Sequence, residues 1–311
     1  MLILSQSGST RAGAGAPARV VSHLTAEIFP VSFLDFLGQE ESRSINLLQR
    51  KRCPMRVNRT TLEQIYDRYH RRCYVHPDPL EFLYLYDALG DREIVALIAS
   101  SLAYGNVKQI LRSVSLVLEK MGPSPSAFLL NSPVNRLAEP FSDFKHRFTT
   151  GEELARLLCG VRGVIEKHGS LQECFMSRLR RDDHTVIPAL SAFVENIFPE
   201  GCDFLIPTPG RGSACKRLNL FLRWMVRRDE VDPGGWDGVS PSKLLVPLDI
   251  HMHRIALTLG LTKRKQADLR TAIEITEAFR KLSPSDPVRY DFVLTRFGIR
   301  KDLDQDLLFC N

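Results

Sequence analysis

The chain has 311 residues, of which 44% are hydrophobic and 25% charged, with a formal net charge of +6. That length supports a sizeable core in two packed subdomains, and the charge permits a polyanionic partner without requiring one. No uninterrupted apolar stretch approaches the ~18 residues of a membrane span, and the opening run Met1–Leu4 is too short for a signal-peptide core. A cytoplasmic, membrane-free protein is the expectation.

Residues 1–54 mix Gly, Ala, Ser and Arg, then carry an apolar patch from Ile28 to Leu37, with no sustained helical or strand period. They read as a flexible extension. The strong pattern begins directly after Met55, which makes Met55 a second candidate for the translation start. Seven cysteines (Cys53, Cys73, Cys159, Cys174, Cys202, Cys215 and Cys310) are scattered without a CxxC pair. Free thiols are therefore expected, with no zinc or iron–sulfur site and no cofactor.

From Thr60 onward helix follows helix. Thr61-Leu62-Glu63 opens one that runs to about Cys73, before Pro77 and Pro79. Asp91 is placed to cap a second, buried along Ile94, Ala96, Leu97 and Ile98. Asn106 is placed to cap a third, with Ile110, Val114, Val117 and Leu118 at helical spacing and Gly122-Pro123 as its stop. Further helices are expected over 151–168, 170–179, 185–198, 213–228, 250–259, 267–282 and 286–297. Alternating strand patterns are nearly absent, so the fold class is all-α, a multi-helix array over residues 55–311.

The segment 209–260 carries the chemistry. Pro209-Gly210-Arg211-Gly212 is a tight turn, and Ser213 is placed to cap the helix after it. In that helix Leu218, Phe221, Leu222 and Met225 form an apolar face, while Lys216, Asn219, Arg223 and Arg227 gather opposite. A glycine turn at a helix N-terminus can hold phosphate through backbone N–H groups, and a basic stripe beside it would add charge. Such a stripe is more often a solvated face. Downstream, Leu244 to Leu248 lead into Asp249, followed by His251, His253 and Arg254 and by a helix closed at Gly260. Taken singly, Asp249 reads as an N-cap and His251 as a structural histidine.

The string Pro247-Leu248-Asp249-Ile250-His251-Met252-His253-Arg254 resembles the apolar–Asp–x–His–x–x–Arg element of the helix-hairpin-helix DNA glycosylase superfamily. In that superfamily the element follows a hairpin whose next helix carries a catalytic lysine; Lys216 is the best-placed lysine here, 33 positions before Asp249. The stretch from Ala96 to Gly122 resembles the superfamily's N-terminal helix pair, and the stretch from Ser283 to Gly298 its closing helix. The hairpin departs from the usual pattern: Ala214 stands two positions after Gly212, where lysine is usual, and Lys216 comes two later. Tyr104, Gly105 and Asn106 stand where a glutamine is usual, and the iron–sulfur cysteines of some members are missing. The irregular hairpin and long insert are most similar to the archaeal 8-oxoguanine glycosylase branch. The whole chain looks like a bacterial family of unknown function near that superfamily.

The resemblance implies two helical subdomains flanking a cleft and a monomer acting on double-stranded DNA with a flipped damaged base, an oxidised purine favoured. Neutral Lys216 would attack C1′ and form a Schiff base, and Asp249 would assist proton transfer. Gly210, Gly212 and Ser213 would contact phosphate through backbone, with Arg217 and Arg223 neutralising phosphates. Trp224 or Trp236 would stack on the flipped base, and His251 would orient the Asp249 helix. A nucleoid-associated location would follow. Two rival classes stay open: a non-catalytic nucleic-acid-binding module, and a metal hydrolase using Asp249, His251 and His253 as an Asp-x-His-x-His ligand set. The damaged base, and DNA against RNA, are not legible.

Overall fold

A computed structural model describes residues 58–201 and 204–300 of the chain, and the expectations for residues 1–54 and for Met55 lie outside them. The described residues are mostly helical, as the pattern predicts. In chain order the helices are α1 (Arg59–Tyr69), α2 (Leu89–Ser101), α3 (Val107–Met121), α4 (Pro125–Asn131), α5 (Gly151–His168), α6 (Leu171–Met176), α7 (Ile187–Ile197), α8 (Lys216–Val226), α9 (Ile250–Thr258), α10 (Leu269–Arg280) and α11 (Asp291–Ile299). Short 3₁₀ turns link several of them, one of them Pro209–Arg211. Among the described residues the only strands are β1 (Lys145–His146) and β2 (Thr149–Thr150), an antiparallel hairpin that the sequence pattern does not announce. None of the described helices is long and apolar enough to cross a membrane.

The centre of the molecule is α2. From Ile94 to Ala99 every residue is buried, because helices or turns pack around it on all sides, α8 foremost. Its Glu93 is a buried carboxylate that accepts hydrogen bonds from Leu171 N (3.0 Å), Gln172 N (3.1 Å) and Trp236 Nε1 (2.7 Å). The first two donors are backbone N–H groups of the first turn of α6, which a helix cannot satisfy by itself. Burial raises the Glu93 pKa against the pull of these three donors.

Caps set the helix ends. Asn106 caps α3 through Lys108 N at 2.9 Å, and Gly122 ends that helix with φ +75°, both as predicted. Thr150 and Glu153 form a capping box on α5. Asp91 differs from expectation. It lies inside the first turn of α2 and accepts instead from Ser126 N (2.8 Å), Ser126 Oγ (2.6 Å) and Ser124 Oγ (3.0 Å), so it fastens the start of α4.

The polar face of α8 points into the protein. Arg223 and Arg227 are buried at 2% and 3% exposure, and Asn219 at 2%. Arg223 pairs with Asp232 and Asp291, and Arg227 with Asp232 (2.6 Å), Asp229 (2.9 Å) and Asp286 (2.9 Å). Asp229 is held in turn by the buried His70 at the end of α1, at 2.8 Å. One charged cluster thus ties α1, α8, the loop after it and the start of α11 together.

The cluster has a pH signature. Burial alone would raise the Asp229 pKa, but the hydrogen bond from His70 and the Arg227 charge outweigh it and hold the carboxyl below the usual range. A depressed folded-state pKa gives stability that is present above the unfolded value of about 4 and lost as pH falls below it. Asp229→Asn should therefore lower the urea midpoint at pH 7 and flatten its fall between pH 4 and 3. A midpoint falling as steeply as in the native chain would contradict this.

Candidate active site

Lys216 and Asp249 meet where three helix ends come together. Lys216 is the first residue of α8, Asp249 is the N-cap of α9, and Ala103 follows the C-terminal end of α2. Lys216 Nζ lies 3.4 Å from Asp249 Oδ2 and 3.3 Å from the Ala103 carbonyl oxygen. Both side chains are partly exposed, at 31% and 22%. The C-terminal end of a helix carries partial negative charge, so the α2 terminus and Asp249 set negative groups on two sides of Lys216 Nζ.

The two carboxylate oxygens of Asp249 have different partners. Its Oδ1 accepts from Met252 N at 2.8 Å and caps α9; its Oδ2 faces Lys216. A capped carboxylate cannot swing away from the lysine without opening the first turn of α9. The cap therefore orients the group that could receive a lysine proton.

The backbone before Lys216 is tightly turned. Gly212 adopts φ +76°, and three residues later Cys215 adopts φ +46°, a left-handed geometry that a residue with a Cβ rarely takes. Two left-handed turns in four residues let the loop double back, and the helix starts at Lys216. The strained Cys215 is buried, with its Sγ 3.1 Å from the Pro207 carbonyl oxygen. Asn219 Nδ2 donates to the Ala214 oxygen (2.9 Å), and Leu269 N at the start of α10 donates to the Gly212 oxygen (3.0 Å). Sequence spacing alone shows none of these restraints.

Several expected site residues lie elsewhere. Ser213 does not cap α8: the N-cap position is Cys215, and Ser213 Oγ accepts from Cys215 N at 3.1 Å. In the hairpin turn, Gly210 N donates to Thr208 Oγ1 (3.4 Å) and Gly212 N to the Pro209 oxygen (2.8 Å), so both N–H groups are engaged within the turn. Arg223 is not a phosphate contact, because Asp232 and Asp291 neutralise it in the interior. Trp224 and Trp236 line no base pocket: they are 0% and 2% exposed, and Trp236 packs against Phe175 and Phe221. Arg217 is near the pair but is held by the protein. It donates to the Ser101 oxygen at 3.1 Å and to the Phe204 oxygen, and lies over the rings of Tyr104 and Phe204.

The helix around Asp249 gives the two histidines separate surroundings. His253 Nε2 lies 2.8 Å from the Arg264 carbonyl oxygen, which anchors α9, while His251 is exposed beside Gly298. The bonded support is thus His253 rather than His251. Asp249 faces Lys216 and His253 the Arg264 carbonyl, and no group of three metal-ligating side chains is assembled among the described residues.

The sequence pattern gives no hint of the aromatic side of the site. Tyr104 OH donates to the His146 oxygen (2.8 Å) and lies 2.7 Å from Thr149 Oγ1, which braces the loop after α2 on the β-hairpin. Phe204, half exposed, packs edge-on against both Tyr104 and the exposed Phe148. A single Phe carries no sequence signal that separates a surface ring from a core one.

The family described as "Protein of unknown function (DUF2400)" has a model that matches residues 78–300, well over half of the chain and the whole of this site. The chain belongs to this family. The DUF2400 match covers Ala103, Lys216 and Asp249 together, and takes in the charged cluster beneath them apart from His70. No curated protein and no solved structure matches the chain.

Proposed function

We propose that this DUF2400 protein is a DNA glycosylase with lyase activity, acting on a damaged base in double-stranded DNA, an oxidised purine such as 8-oxoguanine favoured. The observation that carries the reading is the 3.4 Å approach of Lys216 Nζ to Asp249 Oδ2 from two helix starts 33 positions apart. The left-handed Cys215 and the cap on α9 add support, because they hold both groups in place before any ligand arrives.

In the reaction Lys216 gives its proton to Asp249, and the neutral amine attacks C1′ of the flipped nucleotide. The C1′–N bond breaks, its electron pair leaves with the base, and the base takes up a proton. Opening of the sugar ring gives a Schiff base between Nζ and C1′. Loss of a C2′ proton then expels the 3′ phosphate and nicks the strand. Asp249, ionised once the proton has moved on, stabilises positive charge on the sugar.

Strand incision tests this. The native protein should nick a duplex carrying an abasic site or 8-oxoguanine, and Lys216→Gln should abolish nicking. Release of the base without nicking would make Asp249 the activator of water in a monofunctional enzyme. Neither release nor nicking, with binding retained, would favour the non-catalytic DNA-binding module.

A further inference from the structure

Beside the aromatic step, an open groove of about 310 Å³ runs between α3 and the β1–β2 hairpin. Arg112, Leu116 and Lys120 line it from α3, and Asp143, Lys145 and Arg147 from the hairpin side. Lys120 and Asp143 neutralise each other across it at 2.6 Å. Arg112, Lys145 and Arg147 are exposed, and among the described residues none of the three forms an ion pair. The floor is neutral: Ser113 Oγ and the buried His146 Nδ1 are 2.9 Å apart, and burial, with Arg147 and Arg217 nearby, lowers the His146 pKa.

The placement of Arg147 is the informative part. With Phe148 it forms the two-residue loop of the hairpin, and it adopts φ +53°, where glycine or asparagine is the ordinary choice. An arginine in that conformation carries a backbone strain that glycine would not. Across from it, Gly105 leaves room for its side chain: a Cβ on Gly105 would fall 2.6 Å from Arg147 Cδ. The guanidinium lies over the Phe148 ring at 5.6 Å, and Phe148 is 72% exposed, the most exposed large apolar side chain among the described residues. A strained residue at an exposed loop tip points to a use for its side chain.

We propose that this groove binds the sugar–phosphate backbone of the DNA strand leading away from the Lys216 site, with Arg112, Lys145 and Arg147 on successive phosphates and the Phe148 ring against an unstacked base. The proposal rests on the DNA-glycosylase reading and extends it to a second surface. Three uncompensated cations fit a polyanion, and an open groove with an aromatic rim fits an extended strand better than a small anion, which needs an enclosed socket. Through Phe204 and Tyr104 the rim is continuous with Arg217 and Lys216.

Binding of the full chain to a labelled duplex with a tetrahydrofuran abasic analogue, followed across salt concentrations, tests the groove. Arg112→Gln/Lys145→Gln should weaken binding and reduce the slope of log K against log salt by about 0.9 for each phosphate that the protein no longer neutralises. Arg147→Gly should weaken binding as well while leaving the melting temperature unchanged or raised, because glycine relieves the left-handed strain. A merely structural Arg147 would instead lose stability and leave the affinity alone. Unchanged affinity and slope in both variants, with the native chain binding normally, overturns the groove and leaves the Lys216 reading standing. Failure of the native chain to bind the duplex overturns both. Competition by millimolar inorganic phosphate at constant ionic strength would assign the groove to a small anion and overturn the strand.

Discussion

Asp249→Asn is expected to cut strand nicking by about 10²–10⁴-fold, the range for loss of a positioned acid–base group, while leaving the melting temperature nearly unchanged. Asparagine caps helices about as well as aspartate, so the bond from Met252 N survives the exchange. What disappears is the negative charge facing Lys216 Nζ and the site that would receive its proton. Asp249→Ala should lose the activity and, in addition, about 1 kcal/mol of stability with the cap. The pair of variants separates the two duties of one carboxylate. Nicking by Asp249→Asn within a few-fold of the native rate, at equal stability, would reduce Asp249 to a cap.

The second large effect is on folding. Asp232 is wholly buried and bonds both Arg223 and Arg227 of α8, so Asp232→Ala leaves two interior guanidinium groups short of a partner. Breaking a buried pair from one side costs about 3–5 kcal/mol, a large share of the roughly 5–15 kcal/mol that holds an ordinary domain folded. The fall should appear in the denaturant midpoint, and the same variant should refold poorly. A loss below about 1 kcal/mol would mean that water reaches the arginines and the cluster is not closed. The cluster also bears on the site: α8 carries Arg223 inward seven residues after Lys216, and the Asp249 charge adds to the burial that raises the Asp291 pKa. Site and cluster share one helix as their support.

The helical fold was legible because its signals are local. Apolar residues marked α2 and α3, and Asn106, Gly122 and Asp249 marked helix boundaries as single residues do. The Lys216–Asp249 pair was legible through resemblance and order, and the structure brings it together despite the irregular hairpin. What failed was anything set by partners distant in sequence. The stripe Asn219, Arg223 and Arg227 has the look of a solvated or phosphate-binding face; Asp232, Asp286 and Asp291 turn it into a buried one, and two of these lie more than 55 positions away. Trp224 and Trp236 lie near the site in sequence, but Trp224 is on a core-facing side of α8 and Trp236, in the segment beyond that helix, packs on Phe175 and Phe221. The left-handed Cys215 and Arg147 carry no compositional mark, since both residue types normally avoid that conformation. The exposed rings of Phe148 and Phe204 carry no sequence mark, because hydrophobicity alone predicts burial.

Borohydride trapping tests the central claim most directly, since a Schiff base between Lys216 and C1′ is reduced to a stable covalent bond. Incubated with duplex DNA containing an abasic site in the presence of borohydride, the native protein should form an adduct that mass mapping places on Lys216 and that Lys216→Gln does not form. A native protein that binds the duplex yet gives no adduct, or an adduct that persists at another amine in Lys216→Gln, would contradict the assignment of Lys216 as the nucleophile.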